Sequence, residues 1–321
     1  MSVRARGLRG GAATAAVVGV ALGLYVVQGP DIGTVTAGVA GGITGLVSLI
    51  YVRTGVNRAR LSRELRADGD RAMANVGREA AVTEVHATLL PEESTYGGAM
   101  LRRYDEYQAG FRELTELGNQ ARAIPEQDYD SAEALETMRR YAAKASSLDH
   151  LDDVIADTAA FLNLDHTWRE VWNRQVDPVR ADLQEVEPLL RTELDKAHRG
   201  VPEVAKLRTF ASQALVDLDQ LRADLEEKNV TPDQALDQLR AVRDGLTAQL
   251  DALAGSVANA VGEDDSERES MREVMAYERE HRWEPTILCV SSPSWRWYPV
   301  SVFSTGYREG LLAVESSRTT S

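Results

Sequence analysis

The stretch LRTFASQALVDLDQLRADLEEKNV, residues 207–230, and its continuation TPDQALDQLRAVRDGLTAQLDALAGSVANAV, residues 231–261, decide the fold class. Each half repeats apolar residues at steps of three and four, which is typical of helices that pack along a narrow seam. The repeating residues are Leu207, Phe210, Ala214, Leu218, Leu221 and Leu225, then Leu236, Leu239, Val242, Leu246, Leu250, Leu253, Val257 and Val261. Thr231 and Pro232 suit the cap and first position of a new helix. The sequence therefore predicts an antiparallel helix pair.

The same helical spacing extends outward over residues 56–281, which we predict to be an elongated helical bundle with coiled-coil character. Helix breaks are expected at Pro91 and Pro125, and Ser131 is expected to cap the helix that follows. A capping box is predicted at Thr167, and the helix that follows is predicted to be kinked or broken at Pro178 and Pro188. No strand-like alternation of any length interrupts this region, so the predicted fold class is all-α.

Two uncharged runs precede the bundle, with 21 residues between Arg9 and Asp31 and another 21 between Asp31 and Arg53. About 20 apolar residues in a helix span a bilayer. A cleaved signal peptide and a buried helix pair are the alternatives, but a signal core usually covers only about 7–15 residues. We predict a transmembrane hairpin in residues 1–55, with spans at about 10–28 and 34–52.

Small residues and arginines give this hairpin its predicted packing and orientation. Small residues allow membrane helices to approach closely, within one chain or between two copies. Those at four-residue spacings are Gly11, Ala15, Gly19, Gly23, Gly38, Gly41, Gly42 and Gly45. The arginines predicted to contact lipid headgroups are Arg53, Arg58, Arg60, Arg63 and Arg66. The positive-inside rule then predicts a multi-pass protein of the cytoplasmic membrane with both termini in the cytoplasm.

Residues 282–321 form a third predicted region, an aromatic-rich tail with a disordered end. Residues 286–290 and 297–303 resemble strands, which predicts a small β-hairpin or an extended strap. The aromatic side chains either fill a groove of the chain's own bundle, bind a partner or touch a bilayer surface. The residues assigned to strap or partner contacts are Trp283, Trp295, Trp297 and Tyr298.

Composition and motifs argue against several kinds of chemistry. The chain of 321 residues has 36 basic and 50 acidic side chains, a net charge of −14 that disfavours nucleic-acid binding. Cys289 is the only cysteine, so no intrachain disulfide can form. His150, Asp153 and Asp157 share a helix face, but no facing Glu-x-x-His motif completes a metal site. We therefore assign no catalytic, metal-binding or cofactor-binding residue, and we predict no enzyme and no cofactor.

The stretch DTAAFLNLDHTWREVWNRQVDPVRADLQEVEPLL, residues 157–190, resembles helical regions of a family of uncharacterised bacterial membrane proteins. Its FLN…W…W…P spacing carries the resemblance, and FSTGYREG at residues 303–310 adds to it. In that family a similar helical region can follow a TPM-type domain and a membrane segment, but no TPM-type domain precedes the predicted hairpin here. The resemblance implies bacterial membrane anchoring and no particular reaction.

These observations predict a non-enzymatic, membrane-anchored helical scaffold or adaptor that presents a protein-interaction surface at the cytoplasmic membrane. Its expected partners are the lipid bilayer and either another protein or a second copy bound through the helices, with no nucleic acid. One alternative is a membrane-stress or lipid-surface factor that self-assembles through the coiled-coil seams. Another is a metal-dependent enzyme that uses His150, Asp153 and Asp157.

Overall fold

The structure, a computed structural model, describes residues 32–194, 200–277, 286–292, 295 and 297–319, with side chains from residue 56 onward except at Glu193. In these residues the regular secondary structure is entirely helical, which confirms the all-α fold class. The α-helices of this part of the chain are α1 (Ile32–Thr88), α2 (Thr95–Ala123), α3 (Ala132–Leu162), α4 (Trp168–Pro188), α5 (Pro202–Glu226), α6 (Pro232–Val261), α7 (Asp265–Tyr277), α8 (Ile287–Ser291) and α9 (Val300–Thr319).

Local side-chain chemistry sets several helix ends. The Ser131 hydroxyl accepts a hydrogen bond from the Ala134 amide at 3.0 Å, as predicted. Thr231 and Gln234 form a complete capping box at the start of α6, with Pro232 in the first turn. The predicted box at Thr167 is wrong, because its side chain makes no capping hydrogen bond and its backbone is already helical.

Helix α4 contains two prolines, Pro178 and Pro188. The helix continues through Pro178 and ends at Pro188, so the chain is not broken at the first proline. A π-helical turn, Leu189–Glu193, follows directly. In that turn the Leu194 amide donates to the Leu189 carbonyl at 3.1 Å, five residues back.

The chain divides into two compact units. The first comprises the described residues up to residue 79 together with Tyr107–Asp149. Its core is formed by buried apolar side chains of α1, α2 and α3, namely Val76, Leu114, Leu117, Ala121, Met138, Tyr141 and Ala145. The Tyr141 hydroxyl donates to Asp70 Oδ1 at 2.8 Å, and burial together with this hydrogen bond raises the pKa of the phenol.

The second unit comprises Ala80–Glu106 and the described residues from residue 150 onward. Helix α5 packs against α4 and α6, and α9 packs against α7. Gly306 and Gly310 of α9 lie close to Met275 and Met271 of α7, where a Cβ atom would meet backbone or side-chain atoms at 2.9 and 2.8 Å. Phe161 stacks on Trp172 with ring centroids 5.6 Å apart.

The predicted multi-pass membrane location is contradicted by the helices that the structure describes. None of them is both long enough and apolar enough to cross a membrane. The predicted span at 10–28 lies outside the described residues, and the span at 34–52 lies in α1. Nine of the 21 residues from Ile32 to Val52 are Gly, Thr or Ser, so the run is less apolar than one built from Leu, Ile and Val. Absence of charge alone does not supply the hydropathy that a membrane span needs.

The residues assigned to membrane packing and headgroup contact lie along α1 or outside the described residues, and the described contacts do not test these assignments. Gly11, Ala15, Gly19 and Gly23 lie outside the described residues, whereas Gly38, Gly41, Gly42, Gly45 and Arg53 lie along α1. Arg58 is exposed, and Arg60 forms an ion pair with Glu64 at 2.8 Å. Arg63 lies 5.9 Å from the Tyr129 ring, and Arg66 contacts the Tyr129 hydroxyl.

The predicted β-like tail is not found, because α8 and α9 are helices. The four apolar residues from Ile287 to Val290 are buried, and a short buried apolar run has no alternation that separates strand from helix. Helix α9 extends to Thr319, so residues 316–319 of the predicted disordered end are helical.

Gly69→Ala tests the close approach of α1 and α3 in the first unit. The added Cβ would lie 2.7 Å from the Tyr141 ring and 3.3 Å from the Ala142 Cα. Because the Tyr141 ring is buried and bonded to Asp70, it cannot move away easily. We expect the free energy of unfolding to fall by about 1–3 kcal/mol, measured by urea denaturation of the full chain.

Gly77→Ala is the matched control in the same helix and unit. Its Cβ would meet nothing within 4 Å, and the residue is exposed. Alanine should therefore raise the free energy of unfolding by about 1 kcal/mol through its higher helix propensity. Similar stabilisation by both substitutions would contradict the close packing at Gly69.

Candidate functional site

A C-terminal strap, residues 286–292 with Trp295 and Trp297, lies within the second unit. Thr286 begins it by accepting a hydrogen bond from the Cys289 amide at 3.3 Å. The side chains of Ile287, Leu288, Cys289 and Val290 are buried. The strap thus contributes four consecutive buried side chains, more than a single amphipathic helical turn would.

Three side chains from other helices bind the main chain of the strap. The Ile287 amide donates to Gln175 Oε1 at 3.1 Å. Arg103 Nε donates to the Val290 carbonyl at 2.9 Å, and Arg240 Nη2 makes a longer contact of 3.5 Å to the Leu288 carbonyl. These bonds supply partners for buried backbone groups that a helix of only five residues cannot satisfy itself.

Arg243 of α6 links the strap to the helical core. Its side chain is fully buried, and Nη2 donates to the Gln175 carbonyl at 3.2 Å. The guanidinium carbon lies 4.5 Å from the Trp297 ring centroid and 5.6 Å from that of Trp295. Aromatic faces attract a cation most strongly where water is excluded. Trp295 Nε1 also donates to Asp244 Oδ1 at 2.6 Å.

Arg240 extends this cluster to α2. Its guanidinium carbon lies 5.3 Å from the Tyr96 ring centroid and 5.4 Å from that of Trp295. The Tyr96 hydroxyl donates to Asp237 Oδ1 at 2.9 Å. Burial raises the pKa of the Tyr96 phenol, although the positive charge of Arg240 opposes this shift. The cluster therefore links the strap, α2 and α6.

A groove of 390 Å³ lies between α5 and α6 on the surface of the second unit. We call it the α5–α6 groove. Its apolar lining comes from Phe210, Ala214, Leu221, Ala241 and Val242. Its polar lining comes from Gln213, Asp217, Gln220, Asp224 and Gln238. It therefore combines an apolar floor with polar edges, which is the usual composition of a binding site.

The buried seam of α5 and α6 follows the predicted one except at one position in each helix, where Ala211 is buried instead of Phe210 and Arg243 instead of Val242. The seam residues are Val204, Leu207, Ala211, Ala214, Leu218, Leu221 and Leu225 of α5 and Leu236, Leu239, Arg243, Leu246, Leu250, Leu253 and Val257 of α6. Phe210 and Val242, which the sequence pattern assigned to the seam, are only half-buried and line the groove. Gly245 leaves room for the Phe210 ring, since a Cβ there would lie 2.7 Å from it.

The four residues that sequence analysis assigned to strap or partner contacts differ from one another in burial, and one of them is not described. Trp297 is buried and Trp295 half-buried, while Tyr298 lines a small crevice beside Leu250. Trp283 lies outside the described residues. The arginine that holds both described tryptophans, Arg243, was missed. Its signal is a charged residue in strict heptad register between Leu239 and Leu246.

The three residues of the metal alternative are not arranged as a ligand set. His150 and Asp153 are exposed. Asp157 instead forms a two-point ion pair with Arg174, with Nη2–Oδ1 at 2.5 Å and Nε–Oδ2 at 3.2 Å. An arginine fork that occupies both oxygens competes directly with metal coordination.

Comparison with known protein families matches residues 25–239 to a domain of unknown function, DUF5129. The matched range covers more than half of the 321-residue chain. It fits an uncharacterised family and carries no indication of a TPM-type domain or of a bacterial source. No curated protein and no solved structure shows significant similarity to the chain.

Arg103→Met should loosen the strap and expose Cys289, the single and buried thiol of the chain. The substitution removes a charge-assisted hydrogen bond to the Val290 carbonyl while keeping most of the side-chain volume. Such bonds contribute about 1.5–3 kcal/mol, so labelling of Cys289 by a maleimide under native conditions should accelerate by roughly tenfold or more.

Arg102→Met is the control, because Arg102 is the exposed neighbour in the same helix. In the Arg102→Met variant, Cys289 should be labelled at the same rate as in the unmodified chain. An unchanged labelling rate of Cys289 in Arg103→Met, at the same melting temperature as the unmodified chain, would show that the hydrogen bond from Arg103 to Val290 does not hold the strap in place.

Proposed function

This chain belongs to the family of the domain of unknown function DUF5129, and we propose that it is a non-enzymatic helical adaptor that binds another protein in the α5–α6 groove. The observation that carries the proposal is the position of Phe210 and Val242. Both apolar side chains are turned out of the buried seam and remain half-buried in the groove. Aromatic and apolar side chains placed this way are typical anchors of protein interfaces.

The walls of the groove are held from their other sides, which favours a preformed binding surface. Helix α5 is joined to α4 by ion pairs of Asp219 with Arg180 at 2.7 Å and of Glu226 with Arg169 at 3.3 Å. Helix α6 is joined to the strap through Arg243. A partner that binds a fixed surface pays less conformational entropy on association.

The chemistry of the lining favours binding over catalysis. Asp217 and Asp224 are the ionisable side chains that line the groove, and the rest are amides and apolar residues. A general acid–base mechanism or a covalent mechanism requires a positioned base, nucleophile or metal. Two carboxylates on one helix without such a companion are better suited to charge recognition.

Self-assembly is a second candidate, and one exposed surface favours it. Val82 and Val85 lie on α1 and Leu89 directly follows its last residue; the three are spaced i, i+3 and i+7 and are 53%, 57% and 54% exposed. An apolar stripe at this spacing is suited to packing against another helix. Sedimentation velocity of the full chain over a range of concentrations separates this candidate from a monomeric adaptor.

A photo-crosslinking amino acid at Gln213 should capture a partner of the adaptor in cells that make the protein. Gln213 lines the groove, whereas the adjacent exposed Ser212 does not. The proposal expects a specific adduct from position 213 and none from position 212. Equal adducts at both positions, or none at 213, would contradict groove binding, and an adduct with a second copy would favour self-assembly.

Gly245→Ala should weaken that adduct without unfolding the chain. The new methyl group must displace the flexible, half-buried Phe210 ring, which changes the groove floor. Gly255→Ala in the same helix meets nothing within 4 Å and should stabilise α6 by about 1 kcal/mol while leaving the adduct unchanged. Crosslinking yield and melting temperature, measured on both variants, separate groove shape from helix stability.

A further inference from the structure

The charge of the α5–α6 groove indicates what kind of surface it binds. Its charged lining residues, Asp217 and Asp224, are both acidic. They lie seven residues apart on α5, which places them about 10 Å apart along the helix axis. The groove therefore presents an apolar floor beside a row of negative charge.

A second acidic row on α5 forms ion pairs with a neighbouring helix. Asp219 and Glu226, also seven residues apart, contact α4 through ion pairs with Arg180 and Arg169. The two arginines are eleven residues apart in the sequence (180 − 169 = 11). Their long side chains span the difference in spacing. Helix α5 thus pairs a heptad-spaced acidic row with the arginines of a helix that packs beside it.

The acidic row on the groove side repeats this arrangement two positions earlier in the sequence. Gln213 and Gln220, each one turn earlier on the same helix, donate to Asp217 and Asp224 at 2.8 and 3.1 Å. Asn229 makes a further contact with Asp224 at 3.3 Å. Neither carboxylate forms an ion pair with a basic side chain in the part of the chain that the structure describes. The neutral amides orient the carboxylates without neutralising their charge.

We propose that the groove binds an amphipathic helix of another protein that carries two arginine or lysine side chains, seven to eleven residues apart, on the face that also contacts Phe210 and Val242. The proposal rests on the adaptor function and specifies its partner. The basic side chains pair with Asp217 and Asp224 as Arg180 and Arg169 pair with Asp219 and Glu226. Apolar side chains between them cover the groove floor.

A helix suits this groove better than other ligands do. Both walls are helices, so a third helix can insert its side chains between theirs by the packing used in coiled coils. The described residues offer no strand edge to which an extended peptide could add. Phosphate-bearing ligands would be repelled by the two carboxylates.

The test uses the full chain and a fluorescent helical peptide of about 20 residues, long enough to form a helix on binding. One peptide carries leucines and alanines along one face with arginines at i and i+7. A second replaces both arginines by glutamine, and a third by glutamate. Fluorescence anisotropy should show the order arginine, glutamine, glutamate in affinity, with about a 3- to 10-fold loss from arginine to glutamine, as expected for two partly exposed ion pairs.

The double variant Asp217→Asn/Asp224→Asn assigns the preference to these carboxylates. It should bind the arginine and glutamine peptides equally, because the coupling is lost when either partner is neutral. Glu84→Gln/Glu93→Gln changes the net charge equally at exposed positions outside the groove and should keep the preference. Salt at about 1 M should remove the preference in the unmodified chain.

The outcomes separate this inference from the adaptor function. Equal binding of the arginine and glutamine peptides to the unmodified chain would overturn the basic-helix inference. A specific crosslink from Gln213 would then still support the adaptor. Absence of peptide binding would also overturn the inference, and absence of the crosslink as well would overturn both. A preference that survives in Asp217→Asn/Asp224→Asn would place the recognition elsewhere.

Discussion

The register of the seam between α5 and α6 is the constraint on which the rest of the second unit depends. Buried residues recur at steps of three and four along both helices, and the step of four that follows Leu207 in α5 and Leu239 in α6 places Ala211 and Arg243 inside. Both side chains fit inside the unit: Ala211 is small, and Arg243 is long enough to reach Trp297 of the strap. Once this register forms, Phe210 and Val242 must lie on the outer edge of the pair.

The buried charge in that seam explains the form of the C-terminal region. An arginine enclosed by apolar helices loses its hydration, so it requires acceptors and aromatic faces nearby. The Gln175 carbonyl supplies one acceptor, and Trp295 and Trp297 supply the faces. The described tryptophans of the tail, Trp295 and Trp297, therefore pack on a buried arginine of their own unit.

The same register separates two acidic rows on α5 with different environments. Asp219 and Glu226 are paired with arginines of α4, whereas Asp217 and Asp224 lie along the groove. An amphipathic helix usually has one buried stripe and a solvated remainder. Helix α5 instead has three distinct faces: a buried seam, an acidic row paired with α4, and a partly apolar side that lines the groove. The third face has no partner helix among the described residues.

The sequence by itself determined the helical class, the helix limits at Pro91 and Pro125 and the caps at Ser131 and Thr231, because these depend on a residue's immediate neighbours. It did not decide which of Phe210 and Ala211, or of Val242 and Arg243, lies in the seam, because either choice keeps steps of three and four residues. Tertiary packing decided between them by the volume and hydrogen bonds available at each position. The helical form of the tail was also decided there, since a short apolar run takes its conformation from the surface that buries it. The membrane location was predicted wrongly because it relied on the absence of charge, which the sequence shows directly, whereas glycine, serine and threonine make residues 32–52 less apolar than a run of leucine, isoleucine and valine.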